Sequence, residues 1–218
     1  SDVIFPYGCA FHKYADDTVL SKSAKPEDFS SVQSDVQLCI RDVLAWMDSN
    51  KLKLNASKTE LLPVGSPSHI CERHGEIVDI AGCPVAFEMS VKYLGVKIDR
   101  FLSMQNQVSN ICRCSFLEMR RISSIRSFLS RDACEKLVNA LITSRLDYCN
   151  YVLCGLPSEQ VERIQKVQNN AARLILKKKK HDQNISGFEW SLIYIYALCT
   201  RICTAFVPPH LTILSDLN

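Results

Sequence analysis

The chain has 218 residues, 47% hydrophobic and 22% charged, a globular composition long enough to bury a core, which argues against disorder. The longest apolar run, LIYIYALC at 192–199, falls well short of the roughly 20 residues of a membrane span. No basic stretch leads into an apolar one at the start, so an intracellular protein of cytoplasm or nucleus is expected, neither secreted nor in a membrane.

In chain order, FHKYADDTVL at 11–20 sets two apolar arms around Asp16-Asp17 and predicts two short strands joined by a tight turn carrying the aspartates. Pro26 and Ser30 open a helix that ends near Asn50. Ser30 and Gln33 are spaced as a capping box, and Val32, Val36, Cys39, Val43 and Trp46 recur on one face. Short strands are expected at 52–54 and 59–64, a loop at 65–68, and β structure again through 76–99. After residue 104 the pattern turns helical, at 104–128, 131–150 and 158–180, with Ser130 and Ser158 as N-caps. A further helix is placed at 188–204. The expected organisation is α+β, with regions 1–100, 101–181 (helical) and a divergent tail 182–218.

Eleven cysteines without a Cys-x-x-Cys pair read as free thiols acting as small buried hydrophobes. Cys71, His74 and Cys83, with His69 nearby, are a zinc alternative of irregular spacing. The net charge of +3 conceals an asymmetry. Residues 100–180 carry 15 Lys/Arg against 6 Asp/Glu, a local +9, which leaves −6 for the remainder. Such a basic half fits a polyanionic partner, with solvated helix faces as the alternative.

Two features carry chemistry. Adjacent carboxylates at a hairpin tip repel each other, and a divalent cation relieves that repulsion. A plain surface turn, where Asp is common, is the other reading. In the helix from Ser158, Ile164, Val167, Ala171 and Leu174 form an apolar stripe. Arg163, Lys166, Arg173 and Lys177 recur beside it, and Lys178, Lys179 and Lys180 extend the series. That arrangement packs one face and offers cations to a phosphate backbone without reading sequence. A lysine-rich helix end favoured by the helix dipole is the alternative.

The segment Tyr14-Ala15-Asp16-Asp17 resembles the Tyr-x-Asp-Asp motif of reverse transcriptases, and the likeness continues along the chain. Trp46-Met47, NKLKLN at 50–55 and Lys58-Thr59-Glu60 resemble the next motif of the LINE-type (non-LTR retrotransposon) enzymes. VKYLGV at 91–96 looks like their primer grip. SRLDYCN at 144–150, GLP at 155–157 and VQNNAAR at 167–173 are similar to their thumb and following helices, so the resemblance runs in unbroken order over about 11–180.

The resemblance implies a partial reverse-transcriptase palm (β-hairpin, helix, small antiparallel sheet) followed by an α-helical thumb-like domain. It implies Mg²⁺ or Mn²⁺ on Asp16 and Asp17, with Tyr14 beneath the primer terminus. Lys58 is implied as general acid for pyrophosphate, beside its other reading as a solvated loop lysine. Tyr93, Leu94 and Gly95 are implied as the primer grip, and an RNA template and a DNA primer as partners. Gly95, inside a strand pattern, also reads as a bulge or close backbone approach. The family's third metal-binding aspartate lies on an earlier strand, and the thirteen residues before Tyr14 are too few to hold it. FEWSL at 188–192 departs from the family's Leu-His-Trp-Leu-Pro block. The expectation is a fragment of an RNA-directed DNA polymerase, inactive alone, with the sheet edge beside the hairpin left bare. Taken alone, the thumb gives the alternative, a non-catalytic nucleic-acid-binding module.

Overall fold

A computed structural model describes residues 4–70, 76–80, 82–153, 155–178 and 211–216; the helix expected at 188–204, and Lys179 and Lys180, lie outside these residues. The elements are β1 (Ala10–Tyr14), β2 (Asp17–Lys22), α1 (Phe29–Ser49), β3 (Glu60–Pro63), α2 (Pro67–Ile70), β4 (Ile77–Ile80), β5 (Cys83–Ala86), β6 (Ser90–Tyr93), β7 (Val96–Asp99), α3 (Gln105–Ser124), α4 (Arg131–Val138), α5 (Ser144–Asp147), α6 (Ser158–Leu176) and β8 (Leu211–Asp216). The chain is α+β, with small antiparallel sheets. It divides into two compact units, residues 1–103 with 207–218, and residues 104–206. Among the described residues no helix is long and apolar enough to cross a membrane.

The first unit is built on a four-stranded sheet of order β1-β2-β8-β3. Thr18, Val19 and Leu20 are all buried, because β2 is covered on both faces and successive side chains point to opposite sides. Leu20 joins the core beneath α1 with Val32, Val36, Cys39, Ile40 and Leu61. Val19 joins a second cluster with Leu62 and Val91, against which Tyr93 and Ile98 pack. In the first core the Cys9 thiol donates to the Tyr7 carbonyl at 3.9 Å, and its interaction with the Cys39 thiol holds Cys9 below and Cys39 above the ordinary thiol range. The seven described cysteines are free.

Helix α1 departs from expectation at both ends. A 3-10 turn over Pro26–Asp28 runs straight into Phe29, so Ser30 already lies inside the first turn and makes no capping box. Its carbonyl instead accepts the Ser34 hydroxyl at 3.0 Å. Ile40 turns the buried face so that Met47 lies within it, while Trp46, one residue or about 100° away, is 48% exposed.

Hairpins β4–β5 and β6–β7 complete the unit. In the second, Tyr93 pairs with Val96, and Leu94 (φ 45°) and Gly95 (φ 81°) form a two-residue turn. Gly95 is therefore no bulge. Two left-handed residues are what such a turn needs to follow the strand twist, and glycine supplies one without strain. Leu94 supplies the other at about 1–2 kcal/mol. Leu94→Asn, which makes the favoured Asn-Gly pair, is expected to stabilise the unit by about 1 kcal/mol in denaturant unfolding. A lowered midpoint would mean that the half-buried leucine side chain outweighs the turn strain.

In the second unit, α4 continues through a π-helical turn over Asn139–Thr143 into α5. Helix α3 stops at Ser124 and a 3-10 turn, Arg126–Phe128, follows. Ser130 caps α4, its Oγ accepting the Ala133 amide at 3.1 Å. Ser158, by contrast, is the first helical residue of α6, and Pro157 holds the N-cap position without a side-chain bond. The buried face of α6 is Gln160, Val167, Gln168, Ala171, Ala172 and Ile175. Ile164 and Leu174, expected at its centre, are half-buried flanks. The core against it includes Val108, Cys112, Ser115, Met119, Cys134, Val138, Ile142 and Leu146.

Candidate functional site

The β1–β2 hairpin carries Asp16 and Asp17 as the sequence predicts. Tyr14 pairs with Asp17, and the loop is Ala15-Asp16. Ala15 holds φ 54°, uncommon for a residue with a Cβ. Asp16 is exposed at the tip, and Asp17 is half-buried as the first residue of β2. By strand alternation Asp17 shares the face of Val19, the face covered by β6–β7. Tyr93 responds to it: burial pushes the Tyr93 phenol up, and the Asp17 charge pushes it further. The structure thus brings Asp17 and Tyr93 together, with Leu94 and Gly95 in the turn that follows. Tyr14 is 65% exposed at the end of β1. Lys58 ends a 3-10 turn (Ala56–Lys58) with its side chain exposed.

Among the described residues the hairpin is covered on its β2 side only, and β1 remains the edge strand of the sheet. Strand β8 pairs with β2 on one side and β3 on the other, and its register sets Asp216 across from Asp17. Sequence reading missed it because a six-residue strand in a mixed tail carries no pairing signal of its own. Among the described residues no group of three or more His, Cys, Asp or Glu side chains is assembled for a metal. Asp16 and Asp17 are an all-oxygen pair. Such donors fit Mg²⁺ or Mn²⁺, hard cations that Mg²⁺ typifies by keeping several waters and taking one or two carboxylates. Of the zinc alternative, Cys71 and His74 lie outside the described residues, and Cys83 is exposed.

The basic stripe of α6 splits into separate roles. Arg163 donates to Gln160 Oε1 at 2.9 Å and to Ser109 Oγ at 3.0 Å, tying α6 to α3. Lys166 is exposed. Arg173, Lys177 and Lys178 line an open cleft of about 530 Å³ that α3 and its 3-10 turn complete with Arg120 and Arg126; no acidic residue lines it. Arg126, 9% exposed, is spent inside the fold. It donates to the carbonyls of Leu174 (2.8 Å), Ile175 (2.7 Å) and Leu129 (2.8 Å). Lys177 closes α6 in a left-handed conformation, φ 53°, and the Lys178 amide reaches back to the Arg173 carbonyl at 3.0 Å. The side chains of Arg120, Arg173 and Lys177 have no hydrogen-bond or ion-pair partner among the described residues, and Arg173 Nε is buried.

No family model, no curated protein and no solved structure matches the chain.

Proposed function

We propose that this chain is part of a LINE-type RNA-directed DNA polymerase, contributing the aspartate hairpin and primer grip of the palm and a helical thumb. Residues 1–218 alone hold nucleic acid but do not extend a primer. The observation that carries the reading is the meeting of Asp17 with Tyr93, residues of two hairpins distant in sequence that pack on one another around Val19 and Val91. Asp16 and Asp17 would hold Mg²⁺ or Mn²⁺, which when bound activates the primer hydroxyl and stabilises the leaving pyrophosphate. Tyr93, Leu94 and Gly95 position the primer end beside that pair, and Tyr14 supports it from the other strand.

Two measurements test this on the chain as it stands. Ultraviolet titration with Tyr93→Phe as the subtraction reference should show Tyr93 ionising above the ordinary phenol range, with a lower midpoint in Asp17→Asn. Mn²⁺ binding followed by water-proton relaxation should show one weak site, lost in Asp16→Asn and Asp17→Asn. Binding that ignores both substitutions sinks the metal assignment.

A second reading, a non-catalytic nucleic-acid-binding module, is favoured by Arg120, Arg173 and Lys177 in the α3–α6 cleft, which no acidic residue lines. It predicts salt-sensitive binding with no Mn²⁺ site at the hairpin.

A further inference from the structure

The α3–α6 cleft has a composition that the sequence did not reveal. Its cations come from two helices, with Arg120 on α3 and Arg173 and Lys177 on and just beyond α6, and Phe116, Met119 and Leu174 supply apolar surface between them. Phe116 is 36% exposed, although it lies on a helix whose neighbouring positions Ser115 and Met119 are buried. Part of an aromatic side chain is therefore left uncovered at the cleft.

The null explanation for so many cations at two helix C-termini is dipole compensation. It accounts for Arg126, two of whose three bonds are to carbonyls at the end of α6 and the third to Leu129 in the turn that carries it. It leaves Arg173 unexplained. A guanidinium nitrogen that is buried without a partner keeps its desolvation cost uncompensated, and Arg173 Nε is such an atom. With Arg120 and Lys177 also unpartnered and no acid lining the cleft, the missing partner is an anion.

We propose that this cleft binds an unpaired nucleotide of a single nucleic-acid strand, with its base against Phe116 and its flanking phosphates between Arg120, Arg173 and Lys177. The inference rests on the reading of the helical unit as a nucleic-acid grip and deepens it by naming the form of nucleic acid taken. A cleft of about 530 Å³ holds one nucleotide rather than a duplex, which is far wider. An aromatic face flanked by cations is the means by which single strands are held without sequence preference. An acidic peptide would use the cations but leave Phe116 idle.

The test uses the full chain and fluorescence anisotropy with a labelled oligothymidylate, a blunt duplex of equal length, free thymidine monophosphate and polyglutamate as competitors. The single strand is expected to bind more tightly than the duplex. Phe116→Ala should weaken it about tenfold with little effect on the duplex. Arg120→Gln should shallow the logarithmic salt slope by about 0.7. Both residues are exposed, so both variants should fold, which far-ultraviolet circular dichroism checks. The proposal is overturned if Phe116→Ala leaves single-strand affinity unchanged, or if polyglutamate or the free mononucleotide competes as well as the strand. Salt-sensitive duplex binding that survives such a result would leave the wider reading standing, whereas no binding of any nucleic acid at low salt would remove both.

Discussion

Arg126→Ala is expected to destabilise the helical unit by about 3 kcal/mol. The end of α6 leaves its last carbonyls without intrahelical donors. The Lys178 amide takes that of Arg173, and Arg126 takes those of Leu174 and Ile175. A third bond, to Leu129, fixes the turn that carries the arginine. Alanine would leave three carbonyls short of a donor in a region where Arg126 itself is largely buried, and would remove the cation facing the negative end of the helix. Release of the guanidinium from its own desolvation offsets part of this loss, which keeps the figure near 3 rather than at the sum of three charged bonds. Urea unfolding followed by helical dichroism gives the number. Arg126→Lys should recover less than half, since a point donor cannot span carbonyls that the planar fork reaches together. A loss below about 1 kcal/mol for alanine would show that water replaces the guanidinium.

The largest functional effect is expected at Asp17. With the remainder of a palm supplied in trans, Asp17→Asn should lower Mg²⁺-dependent nucleotide incorporation by on the order of 10³-fold, because the amide keeps the shape but loses the charge that holds the cation. Asp16→Asn should act in the same direction, and its folded stability should be unchanged or slightly raised. Asp16 is exposed at the turn, and removing one of two adjacent carboxylates relieves their repulsion. Opposite signs for stability and incorporation separate a metal pair from a merely structural turn. Equal incorporation by wild type and Asp17→Asn would end the catalytic reading of the hairpin.

Features written in local pattern were legible. The hairpin at Asp16-Asp17, the glycine of the β6–β7 turn and the Ser130 cap each rest on residues a few positions apart, where backbone preference decides. Helix α1 was legible in existence but not in rotation. Trp46 and Met47 are both apolar, and only the packing of the folded unit selects the second for burial. The capping box failed because Pro26 starts the helical path earlier, which Ser30 cannot overrule. Arg126 was not legible at all. Its partners lie 48 and 49 residues on, and nothing near it distinguishes a structural arginine from a phosphate ligand. The same limit hid the division of labour along α6. Arg163, Arg173 and Lys177 share one helical stripe, yet one is tied to Ser109, one is half-buried without a partner and one caps the helix.

Strand β8 sits between β2 and β3, so the middle of the first sheet comes from its most distant stretch of sequence. Emerging from the ribosome, the first unit has every residue of α1 and of both later hairpins before it has the strand that joins β2 to β3. Helices α3, α4 and α6 of the second unit pack on one another within 104–178, and their pairing faces no such wait. Pairings of such long sequence separation close slowly. The order of assembly therefore runs against the order of synthesis: the helices of the second unit can consolidate first, and the sheet beneath the aspartates is completed only once β8, which follows them in sequence, has been made.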